Sequence, residues 1–282
     1  TFYNQATLSY NGNTTTSNIT TGELVEVLSA TKTAVQTEYQ QDDTLTYVVN
    51  ILNSGNTTMT GVTISDNLGA YTLNTITLVP MDYVVGTVRY YVGGVLQPTP
   101  TVTAGPPLTI SGLSVPAKGN VTVIYQAKTN DYAPLAQESS ITNTATINAN
   151  NIANPITASA TVNAYSEPVL RISKSLTPTT VSENGQLTYT FIIQNYGNTA
   201  ADEAAALIVS DRFDPILNPI TVAFNGTAWT EGTEYTYDAT TGQFVSTAGI
   251  ITVPAASYTQ DAATGAISIV PGSATLTITG TV

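Results

Sequence analysis

Two stretches of this chain repeat each other at a fixed offset, and its first ten residues repeat a piece of the first copy. Lys32 matches Lys174, Leu45-Thr46-Tyr47 matches Leu187-Thr188-Tyr189, and Asn53-Ser54-Gly55-Asn56 matches Asn195-Tyr196-Gly197-Asn198, each pair 142 positions apart. Self-similarity over such a period restricts the chain to tandem copies of one fold. Ser65-Asp66 then matches Ser210-Asp211 at 145, and Val115-Pro116 matches Val270-Pro271 at 155. The second copy has therefore gained loop residues, mostly between Tyr235 and Gly265. The first copy is closed by Ile141-Thr142-Asn143-Thr144-Ala145-Thr146-Ile147, and no counterpart follows Pro271 before Val282. The same pattern of residue types appears instead at Phe2-Tyr3-Asn4-Gln5-Ala6-Thr7-Leu8.

Strand signals fill both copies. Leu45 to Leu52, Val62 to Asp66, Val84 to Val92, Val121 to Ala127 and Ile141 to Ile147 are short runs rich in Val, Ile, Thr and Tyr, set between Asn-Gly, Gly-Asn, Gly-Gly and Pro clusters. No helical period competes with them, and the Ala-rich stretch from Thr199 to Ala206 has room only for a short helical turn inside a loop. Many short strands in units of about 140 residues predict an all-β chain of two tandem immunoglobulin-like β-sandwich domains. The expected layout is a donor strand or hairpin extension over 1–26, a first sandwich over 27–165 and a second over 166–282. The second lacks its last strand, and the linker falls at Tyr165 to Pro168.

Composition narrows the function. The 282 residues hold seven Lys and Arg against 19 Asp and Glu, a net charge of −12, with no His and no Cys. Binding nucleic acid needs clustered cations to neutralise phosphates, which seven scattered ones do not supply. Disulfides contribute nothing. The sequence has no apolar run of membrane-spanning length, so membrane insertion is not expected, and its Thr start reads as a mature or trimmed product.

The chemistry follows from strand parity, because residues two apart share a face. Lys32 shares its face with Leu28, Ala30 and Ala34, Asp66 with Val62, Ile64 and Leu68, and Asn143 with Ile141, Ala145 and Ile147. All three point where apolar residues point. In the second copy Lys174 goes with Leu170, Ile172 and Leu176, and Asp211 with Leu207, Val209 and Phe213. Its Asn can come only from Asn4 of a neighbouring subunit, on a donor strand whose inward residues are Phe2, Asn4, Ala6, Leu8 and Tyr10. A buried Lys or Asp shifts toward its neutral form. A neutral amine is a nucleophile, and a protonated carboxyl polarises an amide carbonyl and passes a proton to the departing ammonia. Both sets thus suit a self-formed Lys–Asn isopeptide bond. A plainer reading stays open: Lys at a strand end snorkels to solvent, Asp opens a turn, and Asn bonds to backbone.

Other motifs carry less. The Asn-Gly and Gly-Asn pairs read as turns. Asn13, Asn18, Asn56, Asn120 and Asn225 head Asn-x-Thr sequons, as expected by chance in a chain this rich in Asn and Thr. Asp42-Asp43 and Asp202-Glu203 lack the alternating spacing of a calcium loop, so no metal site and no cofactor are expected. Trp229 and the many Tyr residues suit a carbohydrate surface and a sandwich core equally well.

The series Lys…Leu-Thr-Tyr…Asn-x-Gly-Asn…Ser-Asp…Asn-x-Ala-Thr resembles the tandem "conserved repeat" domains of bacterial and archaeal surface proteins, a family catalogued as domain of unknown function eleven. The resemblance covers nearly the whole chain and implies a cell-surface location and a stalk-like or adhesive role. The layout is also similar to collagen-adhesin-type isopeptide domains, in which a Lys near the first strand joins an Asn on the last with an acidic residue between.

Three function classes follow. The first is an extracellular fibre subunit that polymerises with itself head to tail, its first strand filling the open sandwich of the next copy. The second is a stalk segment of a tandem-repeat adhesin, which further copies beyond Val282 would favour. An enzyme such as a glycosidase comes last, for want of His, Cys or a pair of cleft carboxylates in distinct environments. The first reading is the one adopted, with no receptor or carbohydrate ligand assigned.

Overall fold

A computed structural model of the chain describes residues 2–22, 27–150, 152 and 154–282. Within them the chain is almost wholly extended. The one helical element is a 3-10 turn, Glu203–Ala205, capped by the Asp202 side chain, inside the Ala-rich stretch.

The first unit is two facing sheets. One runs Val95–Leu96, Arg89–Val92, Asn120–Thr129, Thr44–Asn53, Leu28–Ala34 in spatial order, and the other Thr101–Thr103, Leu108–Val115, Met59–Asp66, Ser140–Asn148, Ile156–Ala164, Glu38–Tyr39. The predicted strand over Val84 to Val92 is shorter than expected: Gly86 takes a positive φ in a turn, and pairing resumes at Arg89. Period-two alternation explains the core. Leu45, Tyr47, Val49, Ile51 and Asn53 all point inward and are fully buried, opposite Val121, Val123, Tyr125 and Ala127 across the ladder. The closing element is a hairpin: Ser140–Asn148 pairs with Met59–Asp66 on one side and Ile156–Ala164 on the other.

The second unit repeats the first sheet as Leu170–Thr177, Gln186–Asn195, Gly272–Thr281, Ile220–Phe224, Thr227–Ala228, with its own core. Its other sheet has only Ser210–Arg212, Gln243–Ser246 and Tyr235–Asp238. Here one sequence match needs correcting. Ala201, at the place of Met59, bridges Val253, as Met59 pairs with Val115. Val253-Pro254 is therefore the counterpart of Val115-Pro116, and Val270-Pro271 ends an added two-stranded ribbon, Ser257–Gln260 with Ile267–Val270. That ribbon leans on the first unit, where Gln260 Nε2 donates to the Tyr71 hydroxyl at 2.6 Å. Asn198 Nδ2 adds bonds to the carbonyls of Leu135 and Tyr165.

Residues 2–22 form a hairpin that packs on neither core. Phe2–Asn4 pairs with Thr20–Gly22, and Thr7–Tyr10 with Asn13–Thr16, turning at Asn11-Gly12, both in the left-handed region that such a tight turn demands. Phe2, Tyr3, Leu8 and Tyr10 are all more than half exposed.

Candidate cross-linking sites

In the first unit three strands bring Lys32, Asp66 and Asn143 to one buried spot between the sheets. Lys32 Nζ donates to Asp66 Oδ2 at 2.5 Å, and neither side chain reaches solvent. The other Asp66 oxygen accepts from the Leu68 amide. Asn143 lies on the strand that pairs Ala145 with Asp66, so its side chain falls two residues along the same face.

A fourth residue, unremarked in the sequence, joins them. The Tyr125 hydroxyl donates to Asp66 Oδ2 at 2.5 Å and accepts from Asn143 Nδ2 at 3.2 Å, linking acid to amide. Tyr125 sits directly across the ladder from Tyr47, and the two rings stack at 5.7 Å beside the ammonium of Lys32. Its inward parity within Val121, Val123, Tyr125, Ala127 was legible, but an aromatic there reads first as core.

Burial lowers the Lys32 amine from its usual range to about 8, with the Asp66 charge and hydrogen bond holding it back from falling further. The Tyr125 phenol is pushed well up by burial and by Asp66, so it stays a donor at neutral pH. Asn143 Oδ1 is the one buried side-chain oxygen or nitrogen among the described residues without a hydrogen-bond partner. A buried acceptor left empty costs about 1–3 kcal/mol, and it marks where a proton donor is wanted. An ammonium near neutrality, a carboxylate to take its proton and an amide carbonyl awaiting a donor are the parts that amide exchange requires.

In the second unit the pair recurs without the cover. Lys174 and Asp211 are joined by an ion pair, yet the Lys174 side chain is 39% exposed and that of Asp211 20%. The Lys174 ammonium lies over three rings, Tyr189 at 4.3 Å, Phe191 at 5.4 Å and Phe213 at 5.5 Å. Tyr125 has no phenolic counterpart, since Ile278 faces Tyr189 where Tyr125 faces Tyr47. Nothing among the described residues pairs with the Ser210–Arg212 strand on the edge opposite Gln243–Ser246. Along the Lys174 strand no residue is buried, whereas Leu28 and Lys32 are buried at the matching positions. Asn4 and the other donor residues, Phe2, Ala6, Leu8 and Tyr10, are not brought to this site; they stay in the separate hairpin.

The Asn-x-Gly-Asn motif has a structural job in both units. Asn53 Nδ2 donates to the carbonyls of Thr57, Val115 and Pro116 while its Oδ1 accepts from Gly55, and Asn195 makes the corresponding bonds to Thr199 and Gly197. Among the described residues no three His, Cys, Asp or Glu side chains cluster as metal ligands, and no helix is long and apolar enough to cross a membrane.

No family model and no curated protein matches the chain, so the conserved-repeat surface family that its motifs resemble is not shown to be its own. Solved structures with similar strand arrangements include the pilus backbone protein RrgB of Streptococcus pneumoniae, at 14% identity and a TM-score of 0.36 over 86% of this chain. The chain spans 55% of that protein's length. BcpA, the major pilin subunit of Bacillus cereus, gives 12% identity and a TM-score of 0.38 over 96% of this chain and 73% of its own. A collagen-binding domain of a Staphylococcus aureus adhesin gives 14% and 0.31 over 50% of this chain and 99% of its own. At these scores the likeness is distant, and the chemistry of the two sites rests on their own geometry.

Proposed function

We propose that the chain is a structural subunit of an extracellular surface filament, built of immunoglobulin-like sandwiches and joined head to tail by exchange of its N-terminal hairpin. The observation that carries this reading is a hairpin present twice and a place for it that, among the described residues, is left uncovered once. Residues 2–22 pair Phe2 with Gly22 and Asn4 with Thr20, as the closing hairpin of the first unit pairs Ile141 with Val162 and Asn143 with Ala160. In the second unit the edge of Ser210–Arg212 and the face of Leu170–Thr177 lie open where that closing hairpin sits in the first. An unpaired edge beside exposed Leu170 and Ile172 is a template for strand addition. Covering it with Phe2 and Leu8 contributes about 1.5–3 kcal/mol for each such side chain. Residues 2–22 carry no charged side chain, so the hairpin itself brings no ion into the joint.

Within each subunit, Lys32 attacks Asn143 with Asp66 as proton carrier, and the first sandwich is locked by an amide bond. Removing residues 1–22 tests the assembly. The truncated chain is expected to remain monomeric in light scattering and electron micrographs under conditions where the full chain forms filaments. Filaments of unchanged repeat from the truncated chain rule out hairpin exchange.

A further inference from the structure

The two Lys–Asp pairs differ in one respect that bears on when each can react. Lys32 is sealed, whereas Lys174 opens to solvent on the face where the closing hairpin is missing. The Lys174 ammonium rests over three aromatic rings beside Asp211, and the Asn4 amide it would attack is held away in the separate hairpin. We propose that Lys174 and Asp211 form a latent cross-linking site, silent in the free subunit, that makes an amide bond to Asn4 of a second copy once that copy's hairpin has docked. The proposal rests on the hairpin-exchange reading and extends it from a non-covalent to a covalent polymer.

The repeat supplies the register. Asn143 is two residues before Ala145, which pairs with Asp66; Asn4 is two residues before Ala6. Placing Ala6 of the incoming hairpin opposite Asp211 sets Thr7 opposite Ser210 and Leu8 opposite Val209, as Thr146 and Ile147 oppose Ser65 and Ile64. Asn4 then lies on the face that carries Asp211 and Lys174. Docking also covers Lys174 and shuts water out of the site.

The step balances without any other reactant. The Lys174 ammonium passes a proton to the Asp211 carboxylate along their existing contact. The freed amine adds to Asn4 Cγ, while the Asp211 carboxyl donates its proton toward the amide oxygen. Collapse of the tetrahedral intermediate forms the Cγ–Nζ bond, breaks the Cγ–Nδ2 bond and releases ammonia. Asp211 ends protonated and donating to the new amide. No phenol stands here, since Ile278 occupies the place of Tyr125, so this bond forms more slowly than the one in the first unit.

The full chain, concentrated and then boiled in denaturing detergent, is expected to give a ladder of oligomers. The dimer should weigh about 17 Da less than two monomers, for one ammonia lost at the joint. Digestion should yield one branched peptide linking Lys174 to Asn4. Lys174→Arg keeps the charge over the rings but cannot make this bond, and Asn4→Ala removes the acceptor; both residues are exposed in the free chain. Each variant should fall wholly to monomer on boiling, whatever share of it assembles under native conditions. Wild-type filaments that dissociate completely on boiling overturn the cross-link and leave hairpin exchange standing. A ladder that survives Asn4→Ala, or a branch from Lys174 to any residue other than Asn4, including one beyond Val282 in a longer chain, overturns the proposed partner. Monomer alone at every concentration overturns hairpin exchange and the cross-link together.

Discussion

Tyr125 separates a site that merely tolerates a buried Lys from one arranged to consume it. Its hydroxyl donates a hydrogen bond to Asp66 and accepts one from the Asn143 amide nitrogen, so acid and amide are held in one hydrogen-bonded chain. General acid–base assistance of this kind is worth roughly 10²–10⁴ in rate, and a positioning phenol supplies part of it. Wild-type protein is expected to be about 17 Da lighter than its sequence mass for the Lys32–Asn143 bond, and Asp66→Ala to have the full mass. Tyr125→Phe should slow bond formation by roughly tenfold or more, enough to follow the mass loss with time. The sign of its pH dependence follows from Lys32. Burial brings the amine to about 8, so its neutral fraction grows roughly tenfold per pH unit below that value and levels above it. The rate in Tyr125→Phe should climb and level in the same way; a rate that falls as pH rises contradicts a neutral amine as the attacking group.

At the scale of the strand, the sequence carried what period-two alternation encodes and little of what alternation leaves out. The inward parity of Lys32, Asp66 and Asn143 could be read because each has apolar residues two positions away, and the structure buries all three. The phenol across the core was not legible, because which inward residues face one another depends on how two sheets stack, not on either strand. Sheet pairing also moved one match: an inserted ribbon ends in Val270-Pro271 and mimics the dipeptide that Val253-Pro254 supplies. Residues 2–10 were legible as a strand resembling the closing one and 1–26 as a strand or hairpin extension, but the pairing within it was not, because Thr14 to Gly22 has hardly any apolar alternation. The turn motif yields a prediction at this scale. Asn53 is fully buried and ties together three carbonyls and an amide, whereas Asn56 in the same motif is exposed. Asn53→Ala should destabilise the first unit by about 2–3 kcal/mol through the carbonyls it leaves unpaired, and Asn56→Ala by less than about 0.5 kcal/mol. Denaturant unfolding that finds equal losses at the two positions contradicts the assigned role.

For the whole molecule, the two proposed bonds would define which part of each subunit a filament pulls on. With both bonds in place, tension would enter a subunit through Asn4, held by one neighbour, and leave through Lys174, which holds the other. Residues after Lys174 would then lie outside the loaded path and serve as the socket. Between Asn4 and Lys174 the Lys32–Asn143 bond would make a shortcut that bypasses most of the first core, from Tyr39 to Ile141. Only the stretches from Asn4 to Lys32 and from Asn143 to Lys174 remain to bear load and extend. Without the shortcut, unfolding the first unit frees about 110 further residues, which at roughly 3.3–3.6 Å each adds about 350–400 Å of contour length per subunit. Filaments stretched singly should accordingly show no unfolding step of that length in wild type. Asn143→Ala, which keeps Lys32 paired with Asp66 and leaves the joint between subunits untouched, should show one such step per subunit. Steps of that length in wild type mean that the first unit is not locked. Rupture of wild-type filaments at forces typical of non-covalent strand exchange locates the weak point at the joint and contradicts the bond from Lys174 to Asn4.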